Sequence, residues 1–222
     1  MNKFKNNVID TFFKIKNEKF NTNLPQKIPV YDGTGLLIAF LKPLTKSTVN
    51  NSKQIKLLAK WREENSFAFP TQFKVTLEGT KKWTEGLIKE PSRILFFIET
   101  LDIKPRLIGH IGLFTFDFRE RSCEIDNVVR GDKKLIKGIM TLALNSLVYW
   151  TLYSLKPYKI YLKVLSDNKH AVKFYQKNNF KKVKLIPLKK IVKEGMIIWK
   201  EKSNLKKAFR YFLKMRYVEQ KN

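Results

Sequence analysis

The segment LIKGIMTLALNSLVYWTLYSL, Leu135–Leu155, is apolar almost all round. A helix of that composition has no solvated face, so it must be buried against other elements. Pro157 follows its end. The flanking residues read as the strands that such a helix would cover. SCEIDNVV (Ser122–Val129) precedes it, and YKIYLKVL follows it with Ile160, Leu162 and Val164 on one face. A short helix, KHAVKFYQK, comes next. The SDN at Ser166–Asn168 offers its N-cap, and Asn178 and Asn179 suit left-handed backbone at its end. FKKVKLIPL and GMIIWKE (Gly195–Glu201) are the later strands.

The upstream half is organised differently. Residues 1–20 place Val8, Phe12, Phe13 and Ile15 at helix-like spacing between charges, and Asn21–Gln26 with Pro25 ends that pattern. IPVYDGTGLLIAF reads as strand, turn and strand, because the DGTG at Asp32–Gly35 supplies the positive φ of a hairpin. A helix starts at Ser52, which can cap it, with Ile55, Leu58 and Trp61 recurring every three residues. A second helix covers about Leu77–Leu87 with Trp83 turned inward, although Gly79 weakens it. RILFFIE (Arg93–Glu99), LIGHIGLFTF (Leu107–Phe116) and SCEIDNVV then form an antiparallel meander joined by short polar turns. The fold class expected is α+β: a central mixed, mostly antiparallel sheet flanked by helices. The basic segment Leu205–Val218 spaces Ala208, Phe212 and Met215 as an amphipathic helix. Docking on its own domain or on a partner subunit, as in a homodimer, is the ordinary use of such a helix; membrane-surface binding is the rarer one.

Composition narrows the function classes. Lys and Arg number 45 against 19 Asp and Glu, a net charge of +26. A positive field attracts phosphates of any kind, yet lysine-rich compositional drift produces the same number. The basic residues are spread along the chain without the dense arms of a nucleic-acid tail, so no specific nucleic-acid partner is expected. Cys123 is the single cysteine, which excludes an intrachain disulfide and fits a reducing compartment. With two histidines beside it, a histidine/cysteine metal site is not expected. There is no secretion signal and no apolar stretch of membrane-spanning length, so a cytoplasmic protein is the expectation.

The loop GDKK, after a strand and before the buried helix, is a candidate anion site. First-turn amides have no intrahelical partner and the helix dipole is positive there. Gly138 lets a ligand approach the backbone, and Lys133, Lys134 and Lys137 add charge. The pattern is neither a P-loop nor a GxGxxG fingerprint. Taken with the second half, NVVRGDKKLIKGIMTLAL…YKIYLKVLSDNKHAVKFYQKNNFKKV resembles the core of the GNAT superfamily of N-acetyltransferases. There a Q/R-x-x-G-x-G/A loop opens a helix, the next strand ends near an Asn, and a short helix carries A-x-x-x-Y-x-x-x-G-F. LKPLTKS, WREEN, TKKW and LIGHIGLFTFD resemble the ribosomal-protein and amino-sugar branches. The likeness covers about Leu36–Lys200, which gives an N-terminal extension over 1–35, an acetyltransferase domain over 36–200 and the basic tail over 201–222. Leu135 and Met140 depart from the loop pattern, the loop looks one residue longer than usual, and Asn179-Phe180 replaces Gly-Phe.

The resemblance implies acetyl-CoA as co-substrate and no metal. Val128, Val129 and Arg130 would pair their backbone with the pantetheine arm. Amides of Ile136, Lys137, Gly138, Ile139 and Met140 would take the pyrophosphate. Asn168 would contact the arm, with Phe174 at the contact surface, and Tyr175 would protonate the leaving thiolate. An amine needs a base to become neutral before it attacks. Glu124 and Asp126, two apart on one strand, share a face that looks toward the acceptor, while Asn127 lies on the opposite face. Their alternative is pairing with surface lysines. His110 reads as a hydrogen-bonded core histidine and Cys123 as core. The expected acceptor is a small primary amine, leaning to an amino sugar, nucleotide-linked to suit the basic charge. A protein N-terminus is the alternative, as is a non-catalytic GNAT-like acyl-CoA-binding module.

Overall fold

The computed structural model describes residues 2–17, 27–203 and 207–219. One ten-stranded sheet runs through it. In chain order the elements are α1 (Lys3–Lys16), β1 (Ile28–Tyr31), β2 (Leu37–Pro43), α2 (Lys46–Asn50), α3 (Ser52–Glu64), β3 (Thr71–Gln72), α4 (Leu77–Lys89), β4 (Ile94–Thr100), β5 (Leu107–Asp117), β6 (Ser122–Arg130), α5 (Ile139–Trp150), β7 (Lys159–Leu165), α6 (Lys169–Lys177), β8 (Phe180–Lys193), β9 (Met196–Glu201) and β10 (Arg210–Tyr217). The strand order is β1-β2-β4-β5-β6-β7-β10-β8-β9-β3. Every pairing is antiparallel except β6 with β7. Parallel neighbours need a crossover, and α5 provides it. The α+β reading and the meander β4–β5–β6 are thus observed.

Two apolar clusters fill the two faces. On one face α1 (Phe4, Val8, Phe12) and α5 (Ile139, Ala143, Leu144, Leu147, Val148) cover Cys123, Ile125, Ile160, Leu162, Leu213 and Met215. On the other, Leu58 and Trp61 of α3 and Leu87 of α4 cover Leu95, Phe97, Phe114 and Val129. β4 is buried along its whole length because it is covered on both faces. The N-terminal extension is built into the first cluster, and Lys16 locks it. Its ammonium donates to the carbonyls of Leu87, Ile88 and Glu90 at the end of α4. Burial lowers the Lys16 pKa to about 8.

Local signals explain most helix limits. Asn168 caps α6 by accepting from the Ala171 amide, and Asn179 takes the left-handed turn after it (φ 64°). α3 is capped by Asn51, one residue before the expected Ser52, through the Gln54 amide. α5 continues through a π-helical turn, Thr151–Leu155, and stops at left-handed Lys156 before Pro157. Residues 21–26, where α1 was expected to break, lie outside the described residues.

The tail corrects the sequence reading. Residues 210–217 are a strand, not a helix, and β10 inserts between β7 and β8. Leu213 and Met215 alternate into the core while Lys214 and Arg216 face away. The spacing of Phe212 and Met215 matched a helical repeat by coincidence. The period-two pattern, rich in aromatic side chains, is what the sheet selects. The expected reason for the tail to dock on a partner subunit disappears with the helix.

Candidate active site

β6 and β7 pair only at Ser122–Glu124 with Lys159–Tyr161, and beyond that point they part. The backbone edge of residues 125–130 is therefore left without a ladder on the β7 side, while its other edge continues along β5 as far as Gly109–Arg130. A cleft of about 1230 Å³ opens at the parting. Asn127 shapes it. His110 pairs with Val129 and Gly112 with Asp126, so Ile111 faces two residues, Asn127 and Val128. This is a β-bulge, and left-handed Asn127 (φ 53°) absorbs the extra residue. The bulge flips the alternation: Val129 joins the same face as Glu124 and Asp126, and Val128 packs on the α5 face. Asn127 stands in the bulge beside Val128 and also lines the cleft.

The loop after β6 is held from inside. Arg130 donates from Nε to the Asp132 carbonyl and from Nη2 to those of Lys133 and Leu135. That removes carbonyl oxygens that would repel an anion near the start of α5. The amides of Gly131 and Asp132 both donate to Ile108 O, and Gly131 packs flat on the Trp61 indole. Ile136 (φ 34°) and Gly138 (φ 84°) take left-handed backbone, and nothing lies within 4 Å of where a Gly138 side chain would begin. An unladdered strand edge beside an open, glycine-marked helix start fits an extended arm ending in phosphates. Gly138 and Met140 line the cleft, with Thr141 beside them, which the sequence did not single out. Ile136, Lys137 and Ile139 do not line it. Ile139 is buried in the core and its amide donates to Ile136 O, so it is no part of the cradle.

Glu124, Asp126, Val128, Val129, Arg130, Asn168, Phe174 and Tyr175 all line the cleft, as the sequence grouped them. The two carboxylates differ. Glu124 is held by Lys163 at 3.4 Å, and Lys163 also meets Glu201 at 2.9 Å. Asp126 accepts from the Asn127 amide at 2.6 Å. Its side chain is exposed to the cleft; the concave surroundings keep back part of its water and raise its pKa, opposed by that amide and by Arg93, Lys163 and Arg62. Tyr175 is buried against Phe174 and Phe180. Burial raises its pKa, and the nearby charge of Asp126 adds to the rise. His110 is a buried, hydrogen-bonded histidine. Its Nδ1 lies 2.7 Å from the Asn127 carbonyl, so in the neutral ring that nitrogen donates. Burial lowers its pKa to about 4, so it stays neutral. Cys123 is fully buried, and burial pushes its thiol pKa up; it is core.

Sequence reasoning missed the wall facing Asp126. Arg62 stacks over Phe69, 3.7 Å from the ring centre, and over Phe73 at 5.1 Å, and it donates to Thr71 O. Its Nη1 is buried without a hydrogen-bond partner, and burial lowers its pKa to about 10. Phe67 and Trp83 complete this wall. Trp83 is thus half-exposed to the cleft, not turned into the core as expected. No local pattern marks Phe67, Phe69 and Phe73, because the segment between α3 and α4 is irregular and is held at the cleft by the pairing of β3 with β9. Among the described residues there is no cluster of metal-ligating side chains, and no helix is long and apolar enough to cross a membrane.

Residues 47–181 match the model of the acetyltransferase (GNAT) domain. No curated protein matches the chain. Solved structures with a similar fold include a mutant of the spermidine N-acetyltransferase SpeG from Vibrio cholerae, 16% identical over 80% of this chain and 94% of that one, with a TM-score of 0.58. They also include RimL, a ribosomal L7/L12 alpha-N-protein acetyltransferase, in complex with coenzyme A. It is 14% identical over 86% of this chain and 97% of that one, with a TM-score of 0.64. At such identities the likeness to SpeG and RimL is one of fold.

Proposed function

From the premise that this chain belongs to the GNAT acetyltransferase family, and so is an acetyl-CoA-dependent N-acetyltransferase, we propose that it acetylates a primary amine held over Asp126, by direct attack in a ternary complex. The observation that carries this reading is the parting of β6 from β7 with Asp126 and Tyr175 lining the gap. Acetyl-CoA supplies an activated acyl thioester. The edge of Val128–Arg130, the amides of Gly138 and Met140, Asn168 and Phe174 hold and orient it. Asp126, with its raised pKa, takes the proton from the ammonium form of the acceptor, which frees the nitrogen lone pair. The C–N bond forms as the C–S bond breaks. Tyr175, its pKa raised by burial, gives its proton to the departing sulfur; the nitrogen sheds its second proton as the neutral amide forms, which restores Tyr175, and Asp126 releases the first to solvent. Glu124, whose pKa burial also raises, is tied to Lys163 and positions the wall beside Asp126.

For the acceptor we favour an amino sugar linked to a nucleotide. Phe69, Phe73 and Trp83 offer flat faces of the kind that sugars and bases stack on, and Arg62 brings a charged donor whose Nη1 is unpartnered. A protein N-terminus is the second reading. It is favoured by the size of the cleft, which exceeds that of most small-molecule sites. A thiol-release assay over UDP- and dTDP-linked amino sugars and N-terminal peptides decides between them. Turnover of peptides alone would overturn the sugar reading. Titration with acetyl-CoA tests the rest: absence of saturable binding would leave only a non-catalytic module.

A further inference from the structure

β7, β10 and β8 lie side by side, and their register sets like charges opposite one another. Lys163 pairs with Lys214, and Lys214 pairs in turn with Lys184. Two residues along β10, Arg216 pairs with Lys181 on one side and Tyr161 on the other. Directly paired residues share a face with their Cβ atoms roughly 5 Å apart, and like charges there repel. Lysine-rich drift scatters charge; it does not require it to fall in register across three strands. The opposite face needs none of it, since Leu162, Val164, Leu213 and Met215 form ordinary core there.

Compensation is uneven. Lys163 has Glu124 and Glu201. Lys214 lies over the Tyr161 ring at 3.9 Å and feels Glu124 and Asp117 without a direct ion pair to either, and Lys181, Lys184 and Arg216 are exposed. The row also has a direction, because it begins in the cleft. Lys163 lines the cleft and holds Glu124, two residues from Asp126. Strands lie about 4.8 Å apart. Lys214 is therefore one strand beyond the cleft wall and Lys184 two, a distance that a sugar ring and its phosphates span.

We propose that this row is a phosphate-binding platform for the acceptor, with Lys214, Lys184 and Arg216 receiving phosphates attached to the molecule whose amine lies over Asp126. It rests on the reading of the cleft as the site of acetyl transfer. The ligand chemistry is a nucleoside diphosphate or an equivalent short phosphate group. A long polyanion would need a stripe that leads along the surface, not one that leads into the cleft.

The test uses the full chain saturated with coenzyme A, so that the cofactor's own phosphate site is filled. Binding of UDP, of inorganic pyrophosphate and of a short duplex RNA is measured by calorimetry at 150 mM salt. UDP is expected to bind, and Lys214→Gln with Arg216→Gln is expected to weaken it at least tenfold while acetyl-CoA affinity stays unchanged. UDP affinity equal in the variant, or absent from the wild type while coenzyme A binds, overturns the platform and leaves the transferase reading standing. RNA binding that is tighter than UDP and lost in the same variant overturns it in favour of a nucleic-acid surface. Failure to bind acetyl-CoA overturns the transferase reading itself, whatever UDP does. Lys184→Glu gives an independent check. It replaces repulsion with an ion pair to Lys214, so the thermal midpoint is expected to rise by about 1–3 °C as UDP affinity falls. A falling midpoint would mean that the lysines are not in conflict and that the argument from register is wrong.

Discussion

The two sides of the sheet contrast sharply on the face that carries the cleft. On β4, β5 and β6 that face is sealed: Trp61 and Leu58 press on Phe97, Phe114 and Val129. On β7, β10 and β8 it is open, and lysines stand where a covering helix would need apolar residues. Sealing makes the first side a rigid holder for Asp126, His110 and the bulge. Openness leaves the second side free to meet a ligand. The cleft lies where the two meet, at the point where β6 parts from β7.

Four measurements would sharpen or break that contrast. The largest effect is expected at the boundary. Asp126→Asn should lower turnover by about 100-fold or more, the usual scale of general-base loss. The wild-type rate should fall as pH drops through the raised Asp126 pKa, since the protonated carboxyl accepts nothing. A variant that keeps this acidic limb would move the base elsewhere.

On the sealed side the prediction concerns stability. The folded His110 pKa is near 4 against an ordinary value of 6.5. The unfolded chain therefore binds a proton that the folded chain refuses between those values. Stability should fall as pH drops from about 6.5 towards 4, by up to about 3 kcal/mol from this group. Urea midpoints of wild type and His110→Gln should converge over that window, and parallel curves would show that burial of the imidazole is not the cause.

Gly131→Ala should cost about 1–3 kcal/mol, because its methyl would enter the space of the Trp61 ring, which has no room to retreat. An unchanged denaturation midpoint would mean that the sealed side is softer than its packing implies. The smallest effect is expected for Tyr175→Phe: a loss of about tenfold in kcat, with KM for acetyl-CoA kept, since only the proton for the sulfur is removed. An equal rise in KM would make the hydroxyl a binding group.

Much of this was legible in the sequence, for reasons that are local. The apolar circumference of Leu135–Leu155 could only be a covered helix. The run Asn168–Phe180 carried its own cap, its Tyr and its left-handed exit. Glu124 and Asp126 fell on one face by simple alternation. Alternation stops being a guide at Val128 and Val129, since one inserted residue reverses parity and nothing beside Asn127 announces it. The tail misled for a related reason. Phe212 and Met215 satisfy a helical spacing while Leu213 and Met215 satisfy a strand spacing, and the choice was made by the open edges of β7 and β8.

What the sequence determined by itself was therefore the order of the main elements as far as β9, the buried helix after β6, and the grouping of Glu124, Asp126 and Tyr175 in one cleft. What the tertiary structure decided was which of them meet. The bulge, the insertion of β10, the stacking of Arg62 on Phe69 and the lysines in register all depend on partners far along the chain. Local patterns report only on neighbours within a turn or a strand, and register between distant strands is set by the packing of the whole sheet.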